Sequence, residues 1–285
     1  MSVQLTILGS GSAGNCAYLE TTETRLLIDA GFSGRQIRQR LAAIGRTPET
    51  LHGILITHEH SDHTQGLAIL AAKLGIPVYC NRQTKEAIEA QCQTALNGRV
   101  FTTGATFDIG DLAVETFTVP HDAYDPVGFL VRTSHGNFGW VTDLGHVTKL
   151  VMQRMRAAHV LTLETNHDVK LLQDDPRRPW SLKQRILSRH GHLSNAAAAD
   201  ALQEMMTADL RHVYLGHLSR DCNRPELAQR TITERLDQIG AGHVRVELTC
   251  QAHACPTLRL GSDPLPSTQT QIPLQIQDVS AEEPA

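Results

Sequence analysis

The chain has 285 residues, a formal net charge of −4 with histidine neutral, 41% hydrophobic residues and 20% charged residues. This length fits one large domain or two small ones, with enough residues to bury a sizeable core. The mild acidity argues against a broad polybasic surface for nucleic acid, although a bound dication can still make a cleft locally positive.

The first part of the chain predicts short strands rich in Ile, Leu and Val and separated by Gly, Ser and Thr. A helix with Ser33 as its N-cap extends to Ile44, with Gly45 as a C-terminal stop. A second helix is predicted from Thr64 to Leu74, and a helical stretch follows around Lys85 to Leu96. The strands are predicted at residues 3–8, 17–20, 25–29, 53–57 and 78–80.

The middle of the chain predicts strands joined by tight turns, and the later part alternates helix and strand. The middle strands are predicted at residues 106–109, 112–118, 127–133 and 138–142. The later helices are predicted at 148–157, 181–190, 194–206 and 225–239, and the later strands at 160–164, 212–215 and 244–248. This order predicts an α/β fold in which sheets are covered by helices on their outer faces.

The composition changes at Gly261 to Pro, Gln, Ser and Thr, with Glu282 and Glu283 near the end. We therefore expect a folded domain over residues 1–260 and a disordered tail without a catalytic part over 261–285.

Nothing in the sequence predicts export or membrane insertion. The segment Met1–Leu8 has no cationic region, and no stretch of 18 uninterrupted apolar residues occurs. The six cysteines contain no C-x-x-C pair, which is typical of reduced thiols. We expect a cytoplasmic protein.

Histidine is unusually frequent, with fifteen residues against the roughly six that an average usage of about 2% predicts. The densest cluster is His58–His63, which reads His-Glu-His-Ser-Asp-His directly after the strand at 53–57. Imidazole nitrogens and a carboxylate aimed into one cleft suit Zn²⁺ or a neighbouring dication. The alternative interpretation, a solvated polar loop, does not explain further isolated His and Asp residues at later strand ends.

This pattern, H-x-H-x-D-H after a strand, resembles the metallo-β-lactamase fold superfamily over about residues 3–260. The resemblance implies an αββα sandwich of two mixed sheets flanked by helices. Asp29 matches the family's first motif and is implied to hold the metal loop through hydrogen bonds. The third, fourth and fifth motifs match His121, Asp143 and His217, each of which follows a predicted strand.

The resemblance also implies a site for two divalent metal ions, Zn or Mn or else Fe. Aspartate rather than cysteine at the fourth motif favours hydrolysis of phosphate esters or thioesters. Two ions about 3.5–4 Å apart generate hydroxide near neutral pH and stabilise both oxygens of a phosphoryl displacement. The implied ligands are His58, His60 and His121 for the first ion, Asp62, His63 and His217 for the second, and Asp143 as the bridge.

Further segments resemble the YycJ/WalJ-like branch of the superfamily, whose members resemble 5′-to-3′ DNA exonucleases. These segments cover residues 8–15, 121–129, 164–168, 191–195 and 217–220. The stretch His192–His217 is also similar to the tRNase Z pattern. The span Asp143–His217 is too short for the insertion of β-CASP nucleases, and no tRNase Z-like arm is apparent. DNA or a smaller phosphodiester is therefore favoured over tRNA.

Within that resemblance, Asp62 and His192 are the catalytic candidates. Asp62 and Asp143 would orient the attacking hydroxide, and His192 would assist departure of the leaving group. His192 precedes a helix with Ser194 as its expected N-cap, where anions are favoured. A plain capping neighbour is an equal alternative for His192. His167 is either a supporting acid or base or an organiser of its loop.

Four residues are candidates for substrate binding. Ser10 and Asn15 belong to a Gly- and Ser-rich turn whose backbone amides could meet a phosphate, although such a turn is more often a plain one. Arg220 and Asn223 follow the last metal ligand, and the arginine fork suits phosphate oxygens. A surface salt bridge is the alternative for Arg220.

Together these features predict a metal-dependent hydrolase that cleaves phosphodiester bonds, with DNA as the favoured substrate and 5′-to-3′ exonuclease action as the favoured activity. Hydrolysis of a small thioester or cyclic phosphodiester is the first alternative. A non-catalytic metal-binding regulatory protein is the second, and the complete ligand set argues against it.

Overall fold

The structure, a computed structural model, describes residues 2–261. In this part of the chain two seven-stranded sheets pack against each other and carry helices on their outer faces. The predicted αββα sandwich is confirmed. The expected disordered tail lies outside the described residues from position 262 onward. No helix between residues 2 and 261 is long and apolar enough to cross a membrane.

The first sheet contains the amino-terminal strands and one strand from the far end of the described chain. Its strands are β1 (Val3–Gly9), β2 (Cys16–Glu20), β3 (Arg25–Ile28), β4 (Gly53–Leu55), β5 (Val78–Asn81), β6 (Gly98–Phe101) and β14 (Leu258–Leu260). The order across the sheet is β14-β1-β2-β3-β4-β5-β6. Pairing is antiparallel from β14 to β3 and parallel from β3 to β6.

The second sheet repeats this arrangement with the later strands. They are β7 (Thr106–Ile109), β8 (Leu112–Thr118), β9 (Val127–Thr133), β10 (Gly136–Val141), β11 (Val160–Glu164), β12 (His212–Gly216) and β13 (Arg245–Leu248), in that spatial order. Pairing is antiparallel from β7 to β10 and parallel from β10 to β13. Both sheets thus end in a parallel set, and ligand sites of α/β sheets lie at the carboxyl ends of such strands.

The helices fall into two groups along the chain. The first group is α1 (Gly34–Ala43), α2 (Ser61–Thr64), α3 (Leu67–Leu70) and α4 (Arg82–Cys92), with a short 3₁₀ helix at Pro48–Thr50. The second group is α5 (Lys149–Met155), α6 (Val169–Asp174), α7 (Trp180–Ile186), α8 (Asn195–Met205) and α9 (Pro225–Gln238). Apolar faces of α1, α3 and α4 pack on the first sheet, and those of α5, α8 and α9 pack on the second.

One of the three core clusters lies between the sheets, where Phe129, Trp140 and Tyr214 are fully buried among Ile, Leu and Val side chains from both. Removing this apolar surface from water supplies the main force that holds the two sheets together. The carboxyl ends of the parallel strands of both sheets are therefore fixed relative to each other.

Capping residues start the helices where the sequence predicts. Ser33 and Gln36 form a capping box: the Ser33 hydroxyl accepts from the Gln36 amide, and the Ser33 amide donates to the Gln36 side chain. The Ser194 hydroxyl accepts from the Ala197 amide at 3.2 Å and begins α8. The starts of these two helices are therefore set by local chemistry, whereas α2, α3, α7 and α9 begin without a side-chain cap.

The helix predicted at Thr64–Leu74 is wrong in its bounds, because two short helices, α2 and α3, stand in its place. Between them the Gly66 amide donates to Ala30 O at 2.8 Å, and a Cβ at Gly66 would lie 2.7 Å from Phe32 O. The segment is tied to the loop after β3, which breaks the continuous helix. The prediction also lacked α6 and the edge strands β6 and β14, which are short and partly exposed and carry little hydrophobic pattern.

Candidate metal centre and active site

Polar side chains from both sheets meet at the carboxyl ends of the strands. The segment His58–His63 follows β4 of the first sheet, whereas Asp143 and His217 follow β10 and β12 of the second. His121 lies in the loop after β8, and Glu164 is the last residue of β11. The strands thus bring residues more than 150 positions apart in sequence into one cluster.

Three residues of the cluster have left-handed backbone conformations that are uncommon outside glycine. Asp29, Asp143 and His217 have φ angles of 59°, 57° and 54°. The His217 amide donates to the Ser10 hydroxyl at 2.8 Å, which helps to hold this conformation. Such backbone strain concentrates at functional sites, where surrounding contacts stabilise it. The turns after β10 and β12 aim Asp143 and His217 into the same space, whereas the turn after β3 aims Asp29 at His63 and Thr57 behind it.

The first group of possible metal ligands is His58, His60 and His121, whose nitrogens lie within 4.8 Å of one another. His60 Nδ1 is 3.0 Å from His58 Nε2 and 3.3 Å from His121 Nε2. Three converging imidazole nitrogens are a typical donor set for Zn²⁺ and related dications. The structure therefore brings together the three residues predicted for the first ion.

The second group is Asp62, His63, Asp143 and His217, again with ligand atoms within 4.8 Å of one another. His217 Nε2 lies 3.2 Å from both Asp62 Oδ2 and Asp143 Oδ1, and His63 Nε2 lies 3.0 Å from Asp143 Oδ2. Asp143 also approaches the first group, with Oδ1 3.8 Å from His121 Nε2. It therefore lies between the two groups, where a bridging ligand would stand.

Asp143 Oδ2 indicates that this cluster suits a metal better than hydrogen bonding among its own members. The atom is buried and accepts no hydrogen bond within residues 2–261, although His63 Nε2 is close by. A buried carboxylate oxygen without a donor is costly unless a cation faces it. The donor set of five imidazoles and two carboxylates fits a pair of divalent ions.

Hydrogen bonds on the far side of the imidazoles orient them toward this space. His63 Nδ1 lies 2.8 Å from Asp29 Oδ2, whose other oxygen accepts from the Thr57 amide at 2.9 Å. His58 Nδ1 is 3.0 Å from the Thr57 hydroxyl. His121 Nδ1 is 3.1 Å from Gly191 O. These contacts leave Nε2 of each ring facing the cluster, as in proteins where outer contacts orient histidine ligands.

The charges of the cluster also favour a cation. Burial lowers the pKa of His58 well below its ordinary value, so this ring is a neutral donor. Burial alone would raise the pKa of Asp62 and Asp143, but the imidazoles of His63 and His217 outweigh it and hold the pKa of both carboxyls low. The same attraction raises the pKa of both histidines. The carboxylates are therefore ionised and attract positive charge.

Glu164 is a functional candidate to which the sequence assigned no role, although it begins the segment at 164–168. Its side chain is fully buried, and Oε2 accepts from the amides of Leu144 and Leu193 at 2.9 and 3.2 Å. Oε1 lies 2.7 Å from His192 Nδ1 and 3.3 Å from His217 Nδ1. Despite burial, the His192 ring and its hydrogen bond lower the pKa of Glu164 to about 2. One ionised carboxylate thus orients two histidines of the site.

His192, the predicted acid, stands beside the metal ligands. Its ring stacks on that of His217 with centroids 5.1 Å apart, and Nδ1 lies 3.7 Å from Asp143 Oδ1. Burial would lower the pKa of His192, but the charge of Glu164 raises it. The arrangement favours the protonated form of an imidazole that lies next to the space between the two ligand groups.

A cavity of about 280 Å³ opens over this centre. Its volume lies just below the range of roughly 300–1,000 Å³ that is usual for small-molecule sites. The walls include several metal-ligand candidates and, beyond them, polar residues that the sequence motifs did not mark as contacts. The latter are Ser12, Asp122, Asn166, Arg178, Arg185 and Ser219.

The four residues predicted to bind substrate do not line this cavity. The Ser10 hydroxyl donates to Asn15 Oδ1 at 2.7 Å, and the Asn15 side chain reaches His63, so both are buried behind the ligands. Asn223 is buried and bonded to Asn195 at 2.9 Å. Arg220 is exposed. The structure thus places the three buried residues in supporting networks of the loops.

His167 is also away from the cavity. Its ring is 1% exposed, and neither ring nitrogen has a hydrogen-bond partner in the described part of the chain. Burial lowers its pKa to about 4, so the ring is neutral near pH 7. The backbone of His167 pairs with Ser194, and its carbonyl accepts from the Asn195 amide. These contacts fit the alternative in which it organises its loop.

Comparison with known proteins gives close relatives. A family model described as "Beta-lactamase superfamily domain" matches residues 24–218. The chain is 38% identical over 244 residues to exodeoxyribonuclease YycJ of Bacillus anthracis, covering 85% of this chain and 92% of that protein. It is 41% identical over 240 residues to exodeoxyribonuclease WalJ of Streptococcus pneumoniae serotype 2, covering 83% and 89%.

Solved structures with the same fold are more distant in sequence. The metallo-beta-lactamase fold protein YhfI from Bacillus subtilis has a TM-score of 0.68 at 14% identity, covering 91% of this chain and 100% of its own. The short form of human tRNase Z has a TM-score of 0.61 at 18% identity, covering 89% and 98%. These similarities support the fold.

Proposed function

This chain belongs to the beta-lactamase superfamily, and from that premise we propose that it is a metal-dependent hydrolase that degrades DNA from the 5′ end. The observation that carries the proposal is the pair of ligand groups that meet at Asp143 below one cavity. The relatives named exodeoxyribonucleases, which match most of the chain, support DNA as the substrate.

Two divalent ions would be held by the residues already described. His58, His60 and His121 would hold one, Asp62, His63 and His217 the other, and Asp143 would contact both. When bound, such ions lower the pKa of water and offset negative charge on phosphodiester oxygens. The ions are proposed to be Zn²⁺ or Mn²⁺, with Fe as the third candidate, because His and Asp ligands accept all three.

The protein's own residues then orient the substrate and supply a proton. Asp62 and Asp143 would accept hydrogen bonds from the attacking water, whose oxygen forms the new bond to phosphorus, and would fix its direction of approach. His192 is held through Nδ1 by Glu164 at 2.7 Å, which leaves Nε2 to donate a proton to the departing oxygen. Because Glu164 is buried and bonded to two amides, the imidazole has one preferred orientation.

Action at a strand end is proposed because the relatives that match most of the chain are named exodeoxyribonucleases. We place the catalytic unit in residues 1–260, with residues 261–285 as a tail outside it. A cytoplasmic location, where DNA substrates occur, is part of the same proposal.

The test uses purified full-length chain, stripped with a chelator and reloaded with Mn²⁺ or Zn²⁺. DNA labelled at the 5′ end should release its label early in the reaction. DNA labelled at the 3′ end should release its label only after the strand has been shortened from the 5′ end. His60→Ala and Asp62→Ala should abolish cleavage, because each removes a predicted ligand. Arg230→Gln, an exposed change on α9, should cleave like wild type. Cleavage that survives both ligand substitutions would contradict the mechanism.

A substrate panel separates the proposed activity from other hydrolytic reactions. DNA, RNA, bis(p-nitrophenyl) phosphate and glutathione thioesters are compared at equal enzyme concentration. The proposal requires the highest kcat/KM on DNA. Higher kcat/KM on a thioester or on RNA would overturn the substrate assignment while leaving the metal-ligand assignments intact.

A further inference from the structure

One wall of the cavity is formed by the short helix α7. Leu182, Arg185 and Ile186 line the cavity, and their spacing of three and four residues places them on one face of this helix. Leu182 and Ile186 are apolar, so Arg185 is the one charged residue of α7 among the residues that line the cavity. No sequence motif marks it.

The guanidinium of Arg185 is oriented on one side and open on the other. Its Nε donates to the carboxylate of Asp122. Neither terminal nitrogen, Nη1 or Nη2, makes a hydrogen bond within residues 2–261, and the side chain is 62% exposed. The part of arginine that matches phosphate geometry is therefore available to a ligand in the cavity.

Arg178, the other arginine of the cavity, has its terminal nitrogens occupied. Nη1 donates to the Asp175 carboxylate and Nη2 to Asp221 at 3.1 Å. The Arg178 side chain is also less exposed than that of Arg185, at 21% against 62%. Arg178 thus belongs to an ion-pair network, whereas Arg185 is held only through Nε.

Asp122 links Arg185 to the metal ligands. It follows His121 directly in sequence, and its Oδ1 lies 3.4 Å from His121 Nε2. An arginine held by this carboxylate must lie close to the first ligand group. Arg185 thus stands beside the ligand groups rather than among them, which is where a phosphate that neighbours the scissile one would lie.

We propose that Arg185 binds a phosphate of the DNA strand adjacent to the scissile phosphate, through Nη1 and Nη2, and that Asp122 is its positioning residue. The inference rests on the proposed function and adds a phosphate subsite to it. Other arginines paired with one carboxylate, such as Arg38 with Glu49 and Arg230 with Glu234, do not line the cavity. They serve as comparisons for an arginine that has the same kind of ion pair but no access to the centre. A phosphate subsite explains why an open guanidinium fork stands over the centre.

The experiment measures KM and kcat of metal-loaded enzyme on single-stranded DNA over a series of NaCl concentrations. Arg185→Gln should raise KM about tenfold with a smaller change in kcat. The slope of log(1/KM) against log[NaCl] should become less steep by about 0.7, the value for one phosphate contact on a single strand. Arg185→Lys should keep the slope, because the charge remains, but raise KM, because the fork is lost. Arg230→Gln is the control.

Two comparisons make the outcome specific to a flanking phosphate. Bis(p-nitrophenyl) phosphate has no second phosphate. The fold-decrease in kcat/KM caused by Arg185→Gln should therefore be at least tenfold smaller on this substrate than on DNA. Asp122→Asn combined with Arg185→Gln should give the salt slope of Arg185→Gln alone, since Asp122 acts through the arginine. Equal losses on both substrates, or a salt slope equal to that of Arg230→Gln, would overturn the subsite.

Failure of the proposed function gives a different result. If wild-type enzyme degrades no DNA, that function is wrong, and anisotropy of a labelled phosphorothioate oligonucleotide then tests the subsite alone. A less steep salt dependence of binding for Arg185→Gln would keep the phosphate subsite without the nuclease. An unchanged salt dependence would contradict both.

Discussion

Glu164 Oε1 accepts a hydrogen bond from His192 Nδ1 at 2.7 Å, so a buried carboxylate fixes the imidazole that overhangs the metal centre. The same oxygen lies 3.3 Å from His217 Nδ1. Because Glu164 is ionised and fully buried, it stabilises the protonated form of His192 as well as its orientation. The proposed proton donor, His192, and one proposed metal ligand, His217, are therefore both oriented by a single side chain.

Glu164→Gln should lower kcat for DNA cleavage by about 10- to 100-fold, the range seen when groups behind catalytic ligands are lost. The amide keeps the shape but removes the charge that stabilises protonated His192. Cleavage rates measured across pH should also show a lower apparent pKa for the acid. Glu204→Gln, an exposed change on α8, is the matched control. A pH profile identical to that of wild type would contradict this role of Glu164.

Asp29→Asn should weaken metal binding about 10- to 100-fold while leaving the fold intact. Asparagine tolerates the left-handed backbone of this position, where φ is 59°. It removes the charge that faces His63 Nδ1 at 2.8 Å. Competition with a chromogenic chelator measures the affinity, with exposed Asp108→Asn as control. Equal affinities for the two variants would show that Asp29 serves the turn alone.

Gly31→Ala should remove the metal site with little loss of secondary structure. A Cβ at Gly31 would lie 1.6 Å from Asp62 O and 2.6 Å from the Asn15 amide, so the ligand loop must move. Gly45→Ala controls for backbone effects, because its φ is 71° and no atom lies within 4 Å of its Cβ position. Metal content and circular dichroism are measured together. Full metal content in Gly31→Ala would show that the loop tolerates the shift.

Because the pKa of His212 is lowered in the folded protein, the free energy of unfolding should decrease as the pH falls from 6.5 to 4. Burial, followed by the charge of Arg245, lowers its pKa from 6.5 to about 4. Glu247 lies 3.3 Å from His212 Nε2, but the same carboxylate oxygen also pairs with Arg245. As pH falls, the unfolded chain takes up the proton first, so the free energy of unfolding decreases by up to about 3 kcal/mol.

Urea unfolding at several pH values between 7 and 4 measures this dependence. His212→Gln should flatten it by the stated amount, whatever its effect on stability at pH 7. Exposed His190→Gln is the matched loss of an imidazole. If both variants show the wild-type pH dependence, another group is responsible for it.

Much of the centre could be predicted because its chemistry is local. The segment His58–His63 carries four of the proposed ligands in six consecutive residues. Asp143 and His217 each follow an apolar strand. The carboxyl ends of parallel strands lie at the same edge of a sheet, so residues that follow these strands lie close together. Ser33 and Ser194 mark helix starts for the same local reason.

The remaining contacts depend on register and packing between distant segments. Glu164 pairs with Gly216 across β11 and β12, which places its carboxylate beside His217, and no spacing in the sequence reports this register. Arg185 faces the cavity because of how α7 packs. Ser10 and Asn15 lie in a turn that resembles a phosphate loop, yet their side chains bond to each other. The type of a polar residue therefore did not distinguish residues that hold the loops in place from residues that line the cavity.

The division of the ligands between the two sheets has a consequence for quality control. The His58–His63 loop is synthesised before residues 121–217, and its four candidate ligands meet His121, Asp143 and His217 only when the second sheet packs against the first. A nascent or truncated molecule therefore holds four of the seven proposed ligands, and we expect it to cleave nothing. Hydrolysis of DNA would therefore begin only after both sheets have folded and packed together.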